Sequence, residues 1–378
     1  MPIDFALTGE QEQLRDSVRA WLQDHYSFEQ RCAAVRSPDS FRPAVWSAFA
    51  NDLGILGMTF PERVGGSGLD AVATMIVMEE FGRALVVEPY LETVVICGGL
   101  LAGASGTRAE RVLERIGAGQ EILAFAAFEA PSRYEIADIA TTARRDGGGW
   151  VLDGTKAVVA AAPWASSLLV AARTAGRRGE RRGISLFLVP CSAPGVSMNS
   201  YPTIDGRCAA DVTFQAVRLT GDSLIGGEGE AIELIERSID AGIAAMSAEA
   251  VGMLAKLHED TLEYAKQRRQ FGQPIGRFQV LQHRLVDMYI EIELARSAAY
   301  LATLRLSAPA SERSRAVSAA KVSINKACRM VGQSAVQIHG GMGMTDELAV
   351  SHAFKRATAI ELELGTTDFH LARHAAGR

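Results

Sequence analysis

Tyr264-Ala-Lys-Gln-Arg268-Arg-Gln270-Phe271-Gly-Gln-Pro-Ile-Gly-Arg-Phe278-Gln279 separates two long runs of helical periodicity. Gly272, Pro274 and Gly276 would be enough to turn a chain between helices. This stretch offers more. Arg268 supplies a planar fork that matches phosphate oxygens, Phe271 a flat face for stacking on a ring, and Gln270 and Gln279 two amides. A diphosphate needs cationic or N–H donors and a planar base needs a flat partner, so the set suits a dinucleotide. The competing reading makes Arg268 a cap on a helix C-terminus and Phe271 a core residue.

Around this elbow, apolar residues keep a helical period over about Glu230 to Arg269, Phe278 to Leu306, Arg313 to Ile338 and Ala349 to Leu364. Four such segments with short connections predict a C-terminal four-helix bundle over residues 227–378. Between 120 and 226 the pattern shortens to β-rich runs at Ile122 to Phe128, Ile139 to Arg144, Trp150 to Leu152, Leu168 to Ala172, Ile184 to Val189 and Val212 to Val217. Turn signals at Asp146-Gly-Gly-Gly149, Asp153-Gly154 and Pro194-Gly195 separate them and predict a middle antiparallel β domain. Residues 1–119 return to helical spacing, as in Leu14, Val18, Trp21 and Leu22, with breaks at Pro38, Pro61 to Gly68 and Pro89. Thr8 followed by Gln11 fits a capping box. The basic stretch Arg177 to Arg182 reads as a solvated hairpin tip. The expected class is α+β, with an N-terminal helical domain, a middle β domain and a C-terminal bundle.

The elbow resembles the signature of acyl-CoA dehydrogenases, flavoproteins that desaturate acyl-CoA thioesters, and the resemblance covers nearly the whole chain. Pro61-Glu-Arg-Val-Gly-Gly-Ser-Gly-Leu-Asp70, Leu224-Ile-Gly-Gly-Glu-Gly229 and Val336-Gln337-Ile-His339-Gly340-Gly341-Met-Gly343-Met match it in order. The resemblance implies an acyl-CoA dehydrogenase-like fold with FAD as cofactor. It also implies that Arg268, Gln270, Phe271, Phe278 and Gln279 reach across a subunit interface to the diphosphate and adenosine part of a neighbour's FAD. Gln337, Gly340 and Gly341 would bring backbone near the same cofactor, as absent Cβ atoms permit. Thr366 is implied as a further cofactor contact, and Asp240 as a contact to the CoA moiety of an acyl-CoA substrate.

Other positions depart from the family pattern. Relatives place the carboxylate that removes the substrate's α-proton directly before the Gly-Thr of the last helix junction, where this chain has Leu364 before Gly365-Thr366. A second group places it ten residues ahead of the glycine that aligns with Gly252, which is Gly242 here. Neither side chain accepts a proton. Where relatives set Trp and Thr against the isoalloxazine, Lys156-Ala-Val158-Val-Ala160 offers small apolar groups, and the usual Tyr and Thr appear as Phe125 and Phe128 ahead of Glu129. The chain thus keeps what relatives donate to a neighbour's FAD and lacks most of what they use for their own.

This pattern is similar to one partner of a heteromeric pair. Tyr134-Glu-Ile-Ala-Asp-Ile-Ala-Thr-Thr-Ala-Arg-Arg-Asp146, Phe278-Gln-Val-Leu-Gln-His283 and His352-Ala-Phe-Lys-Arg356 resemble the small subunit of pimeloyl-CoA dehydrogenase. The expectation is a subunit of an FAD-dependent acyl-CoA dehydrogenase that completes the site of a second, dehydrogenase-like subunit. One alternative is a self-sufficient homo-oligomer whose base has moved to Glu249 or Glu363. Glu249 lies in the small, apolar run Ala244-Ala-Met-Ser-Ala-Glu-Ala-Val-Gly252, a dry setting suited to a general base; its plainer reading is an interhelical hydrogen bond or ion pair. Glu363 is one residue, ~100° of helix, from the usual base position. The other alternative is a non-catalytic CoA-ester-binding relative that lost flavin.

Composition narrows the partners. With 378 residues and 48% hydrophobic content the chain can bury sizeable cores. A formal net charge of -5 leaves no electrostatic footprint for nucleic acid. The first residues carry no basic start followed by an apolar stretch, and no run reaches the ~18 uninterrupted apolar residues of a membrane span, so no membrane partner and a cytoplasmic location are expected. Cys32, Cys97, Cys191, Cys208 and Cys328 are scattered without a C-x-x-C pair and read as reduced, mostly buried thiols. His283, His339, His352, His370 and His374 make no metal-ligand spacing on one element, and no metal is expected.

Overall fold

The structure, a computed structural model, describes residues 7–37, 40–104 and 106–377. The chain start and the break expected at Pro38 lie outside the described residues. Along the chain come α1 (Gly9–His25), α2 (Phe28–Arg36), α3 (Pro43–Asn51), α4 (Ala71–Ala84), a π-helical segment (Leu91–Cys97), α5 (Gly98–Gly103) and α6 (Thr107–Gly117). The strands follow: β1 (Leu123–Ala126), β2 (Thr142–Asp146), β3 (Gly149–Ala160), β4 (Ser167–Arg173), β5 (Ile184–Pro190), β6 (Val196–Pro202), β7 (Cys208–Leu219) and β8 (Leu224–Ile225). The last part holds α7 (Ile232–Gln267), the short strands β9 (Arg269–Gln270) and β10 (Gln273–Pro274), α8 (Gln279–Leu304), α9 (Ala310–His339), α10 (Ala349–Leu362) and α11 (Thr367–Ala376).

These elements form two compact units, one of residues 34–70 and 87–242, the other of the described residues up to Ala33, residues 71–86 and residues 243–377. In the first, the sheet runs β6-β7-β3-β2-β4-β5-β8, with β1 pairing β4. The antiparallel expectation needs correction, because β1 pairs β4 in parallel and β2 meets β4 in parallel at Thr142 and Arg173. The crossover is held by buried polar groups that alternation does not reveal. Glu129 accepts from the Ala140 and Thr141 backbone N–H groups at 2.9 Å each and from Lys156 Nζ at 2.8 Å. Arg173 donates to the carbonyls of Ile139, Ala137 and Glu180. Burial pulls the Lys156 amine down to about 8, offset in part by Glu129, whose carboxyl lies below its usual range because the Lys156 charge and these hydrogen bonds outweigh its own burial. Trp150 meets Phe187 edge-on at 5.1 Å within a core that includes Leu152, Val170, Val189 and Phe214. Sequence patterning passes over β6 and β8, the first a polar edge strand and the second two residues long.

In the second unit, α1 begins with the expected capping box, Thr8 and Gln11 each accepting the other's backbone N–H. The crossing of α4 and α7 rests on two glycines. A Cβ on Gly252 would lie 1.8 Å from the Glu79 carbonyl oxygen, and one on Gly82 would lie 1.9 Å from that of Glu249. Backbone meets backbone there, and no side chain fits between. α7 is long and apolar enough to cross a membrane, yet 89% of its most apolar stretch is buried, as in a core helix. The bundle contains a helix more than expected. Leu364 and Gly365 have φ of 56° and 126°, which ends α10, and the Thr366 hydroxyl accepts from Phe369 N–H at 3.4 Å to start α11. Cys32, Cys97 and Cys328 are buried, and all five cysteines are free.

Candidate cofactor site

The Arg268 backbone N–H closes the last turn of α7 on the Tyr264 carbonyl at 2.8 Å. β9 and β10 then pair Gln270 with Gln273 and Arg269 with Pro274. Between them Phe271 and Gly272 have φ of 51° and 81°, the two positive values of a type I′ turn. Asn, Asp or Gly suits the first of these positions, and an L side chain without local hydrogen bonding costs roughly 1–2 kcal/mol there. The Phe271 ring is nonetheless 91% exposed, with Phe278 edge-on at 6.2 Å. Turn propensity and core burial therefore both fail to explain an aromatic at this tip, and the core reading of Phe271 falls. Arg268, Gln270 and Gln279 are also exposed, while Phe278 is half-buried at the start of α8. Among the described residues the Arg268 guanidinium has no partner within the chain.

The glycine-rich stretch is brought to the elbow by two side chains, Tyr264 and His339, that the sequence reading names but does not pair. His339, the last residue of α9, stacks on Tyr264 with ring centroids 4.2 Å apart and planes 24° apart. Its Nδ1 bonds the Ala335 carbonyl at 2.9 Å, and the Tyr264 hydroxyl reaches the His339 carbonyl at 3.5 Å. Gly340 follows with φ 60° and ψ -140°, and a Cβ added at Gly340 or Gly341 would meet nothing within 4 Å. Gln337 is exposed on the last turn of α9. The signal for the stack was present, since Tyr264 lies one turn before Arg268 and His339 directly before Gly340-Gly341, but spacing alone does not pair them.

The two relocated-base candidates converge on one cation. Arg356 on α10 holds Glu249 in a fork, Nε to Oε1 and NH2 to Oε2 at 2.8 Å each, and reaches Glu363 Oε2 through NH1 at 2.9 Å. The Glu249 and Arg356 side chains are 3% and 4% exposed, and that of Glu363 is 26% exposed. The ion-pair reading of Glu249 is thus the one the geometry shows, and both its oxygens are committed to a guanidinium. Asp240, expected as a contact to the CoA moiety, is fully buried, because α7 is covered nearly all round from Ile239 to Leu254. Thr366 serves as the cap of α11. Behind this junction His370 bonds the Leu364 carbonyl through Nε2 at 3.0 Å and Ser318 through Nδ1 at 3.3 Å, while Lys321 bonds the Ile360 carbonyl.

A cleft of about 320 Å³ lined by Leu22, Tyr26, Leu85, Met253, Leu257 and Val350 lies in the same unit. Its lining cations Arg19, Arg83 and Lys256 are paired with Glu80, Glu259 and Asp260, and no elbow residue borders it.

Models of the acyl-CoA dehydrogenase N-terminal, middle and C-terminal domains match residues 8–120, 124–217 and 230–377. The chain belongs to the acyl-CoA dehydrogenase family, FAD-dependent oxidoreductases acting on acyl-CoA. It is 30% identical over 342 residues to the human mitochondrial short-chain specific acyl-CoA dehydrogenase, spanning 89% of this chain and 82% of that protein. Among solved structures, a variant of the Tcur3481–Tcur3483 steroid ACAD matches with a TM-score of 0.87 and 29% identity over 97% of both chains. The ChsE4–ChsE5 complex from Mycobacterium tuberculosis matches with a TM-score of 0.89 and 26% identity over 99% of this chain and 98% of that one.

The residues present fit FAD at one end only. The displayed Phe271 ring, the Arg268 guanidinium and the open Gly340-Gly341 turn suit an adenosine diphosphate moiety. In the β unit, Val158 is 63% exposed with φ 52°, held by its N–H to Asp211 at 2.9 Å, and Ala160, Phe125 and Phe128 are partly buried. None of these four side chains can donate or accept a hydrogen bond at a polar flavin ring edge.

Proposed function

We propose that this chain is one subunit of a heteromeric acyl-CoA dehydrogenase and that its elbow completes an FAD site lodged chiefly in a second, dehydrogenase-like subunit. The observation that carries this reading is the Phe271 tip, an aromatic held in a strained turn at 91% exposure beside an Arg268 guanidinium with no partner among the described residues. A bound FAD would supply the acceptor for the hydride that leaves the substrate's β-carbon as the α,β double bond forms. The α-proton goes to a carboxylate, which the partner supplies in this reading, since Leu364 cannot and Glu249 and Glu363 are tied to Arg356. Arg268, Gln270 and Gln279 would hold the diphosphate by donating to it and Phe271 would stack on the adenine, with Gln337, Gly340 and Gly341 closing the same end. The two-component names of the ChsE4–ChsE5 and Tcur3481–Tcur3483 structures support a paired assembly. The likeness to a pimeloyl-CoA dehydrogenase small subunit points to a dicarboxylyl-CoA substrate.

The test is purification through a tag on this chain, once from its own cells and once from a host that makes it alone. Flavin absorbance and acyl-CoA oxidation in the first preparation only, with a second dehydrogenase-like chain present, is the expected result. A yellow, active protein made of this chain alone would overturn the proposal.

A further inference from the structure

We infer that Tyr264 and His339 are positioning residues that hold the Arg268–Phe271 hairpin and the Gly340-Gly341 turn as one rigid grip. This deepens the flavin-completing role proposed above and rests on it. The hairpin and the turn belong to stretches about seventy residues apart in sequence, and each is exposed and poor in contacts of its own. What joins them is the Tyr264–His339 stack, with the Tyr264 hydroxyl reaching the His339 carbonyl at 3.5 Å. On one side, the Tyr264 carbonyl takes the Arg268 backbone N–H at 2.8 Å and the Arg268 carbonyl takes the Ile275 N–H at 2.8 Å, so the hairpin is anchored on the residue that carries the ring. On the other side, the His339 ring is 6% exposed, locked to its own helix through Ala335, and covalently adjacent to Gly340.

The stack sets separation, and separation is what a diphosphate grip needs. A guanidinium from one element and backbone from another converge on one anion only if their spacing is fixed before the ligand arrives, because ordering two loose pieces at binding costs affinity. A hairpin of two-residue strands has no sheet to stiffen it. The aromatic pair supplies that stiffness from outside the hairpin, and two stacked rings contribute more than the area they bury.

The experiment uses the flavin-containing assembly purified through a tag on this chain, with Tyr264→Leu, His339→Leu, the double variant, and the ring-keeping Tyr264→Phe and His339→Phe. Read-outs are the FAD dissociation constant from flavin fluorescence, inhibition of FAD reloading by ADP, and Tm. The expected result is a roughly tenfold weaker FAD and ADP affinity for either leucine variant, no further loss in the double, and recovery to within about twofold in the phenylalanine variants. The phenylalanine variants guard against misfolding, because they keep the ring and test stacking alone. Unchanged affinities in the leucine variants, while Arg268→Ala weakens FAD, would overturn the inference and leave the cofactor role standing. Unchanged affinities in Arg268→Ala as well would overturn the cofactor role itself. Affinity losses that track Tm equally in leucine and phenylalanine variants would make the pair structural only.

Discussion

Replacing Arg356 by methionine tests the buried charge network at the α10–α11 junction. The substitution strips Glu249, 3% exposed, of both its guanidinium bonds, and Glu363, 26% exposed, of one. Leaving one member of a buried pair uncompensated costs about 3–5 kcal/mol, whereas a partly exposed pair contributes about 0–1 kcal/mol, so nearly the whole effect comes from Glu249. At about 2–4 °C per kcal/mol for a body of 150–250 residues, Arg356→Met should lower Tm by roughly 6–20 °C. Glu363→Gln should cost less than about 1 kcal/mol. The decisive member is the double variant Glu249→Leu/Arg356→Met. It removes both buried charges and should recover most of the loss, since apolar replacements of buried ion pairs are often neutral or better. Urea unfolding of the wild type, Glu249→Leu, Arg356→Met and the double variant, followed by circular dichroism, gives the coupling between the two sites. Additive losses in the double variant, or a loss under about 1 kcal/mol for Arg356→Met, would refute the reasoning. In the purified assembly Glu249→Gln should leave turnover unchanged at temperatures where it is folded.

Three further outcomes are expected. Phe271→Asn suits the type I′ turn and should raise stability by about 0.5–1 kcal/mol while weakening FAD binding in the assembly, an opposition that thermal melts and flavin titration both read. Gly252→Ala forces a Cβ into the Glu79 carbonyl and should leave the chain mostly insoluble, whereas Gly65→Asn on an open loop should leave its yield and Tm unchanged. His370 is buried neutral, with burial pulling it down to about 4. The unfolded chain binds that proton from about 6.5 downward and the folded one only near 4, so the stability contributed is full above about pH 6.5 and is lost as pH falls toward 4, by about 3 kcal/mol. A His370→Gln variant should show a flatter loss of Tm between pH 6.5 and 4.

Much of the fold was legible because helices and strands differ in period. The bundle helices appear within a few residues of where apolar spacing puts them, and the Thr8–Gln11 box is written locally. What spacing hides is whatever depends on distant partners. The parallel pairing of β1 with β4 relies on Lys156 reaching Glu129 across 27 residues of chain and Arg173 reaching the Ala137 carbonyl across 36. α11 relies on a bulky Leu364 tolerating positive φ, which propensity disfavours. Of the candidate site, Arg268, Phe271 and Gly340 are proposed from residue type alone, while the Tyr264–His339 stack and the Arg356 fork needed coordinates, because no motif links residues on separate helices.

The interleaving of the two units has a consequence for synthesis. α1 and α4 leave the ribosome early, yet the helices they pack against, from residue 243 onward, emerge last. The sheet-bearing unit ends at residue 242 and can close while translation continues. For that interval the apolar faces of α1 and α4 wait without their docking helices, a window in which chaperones can capture them.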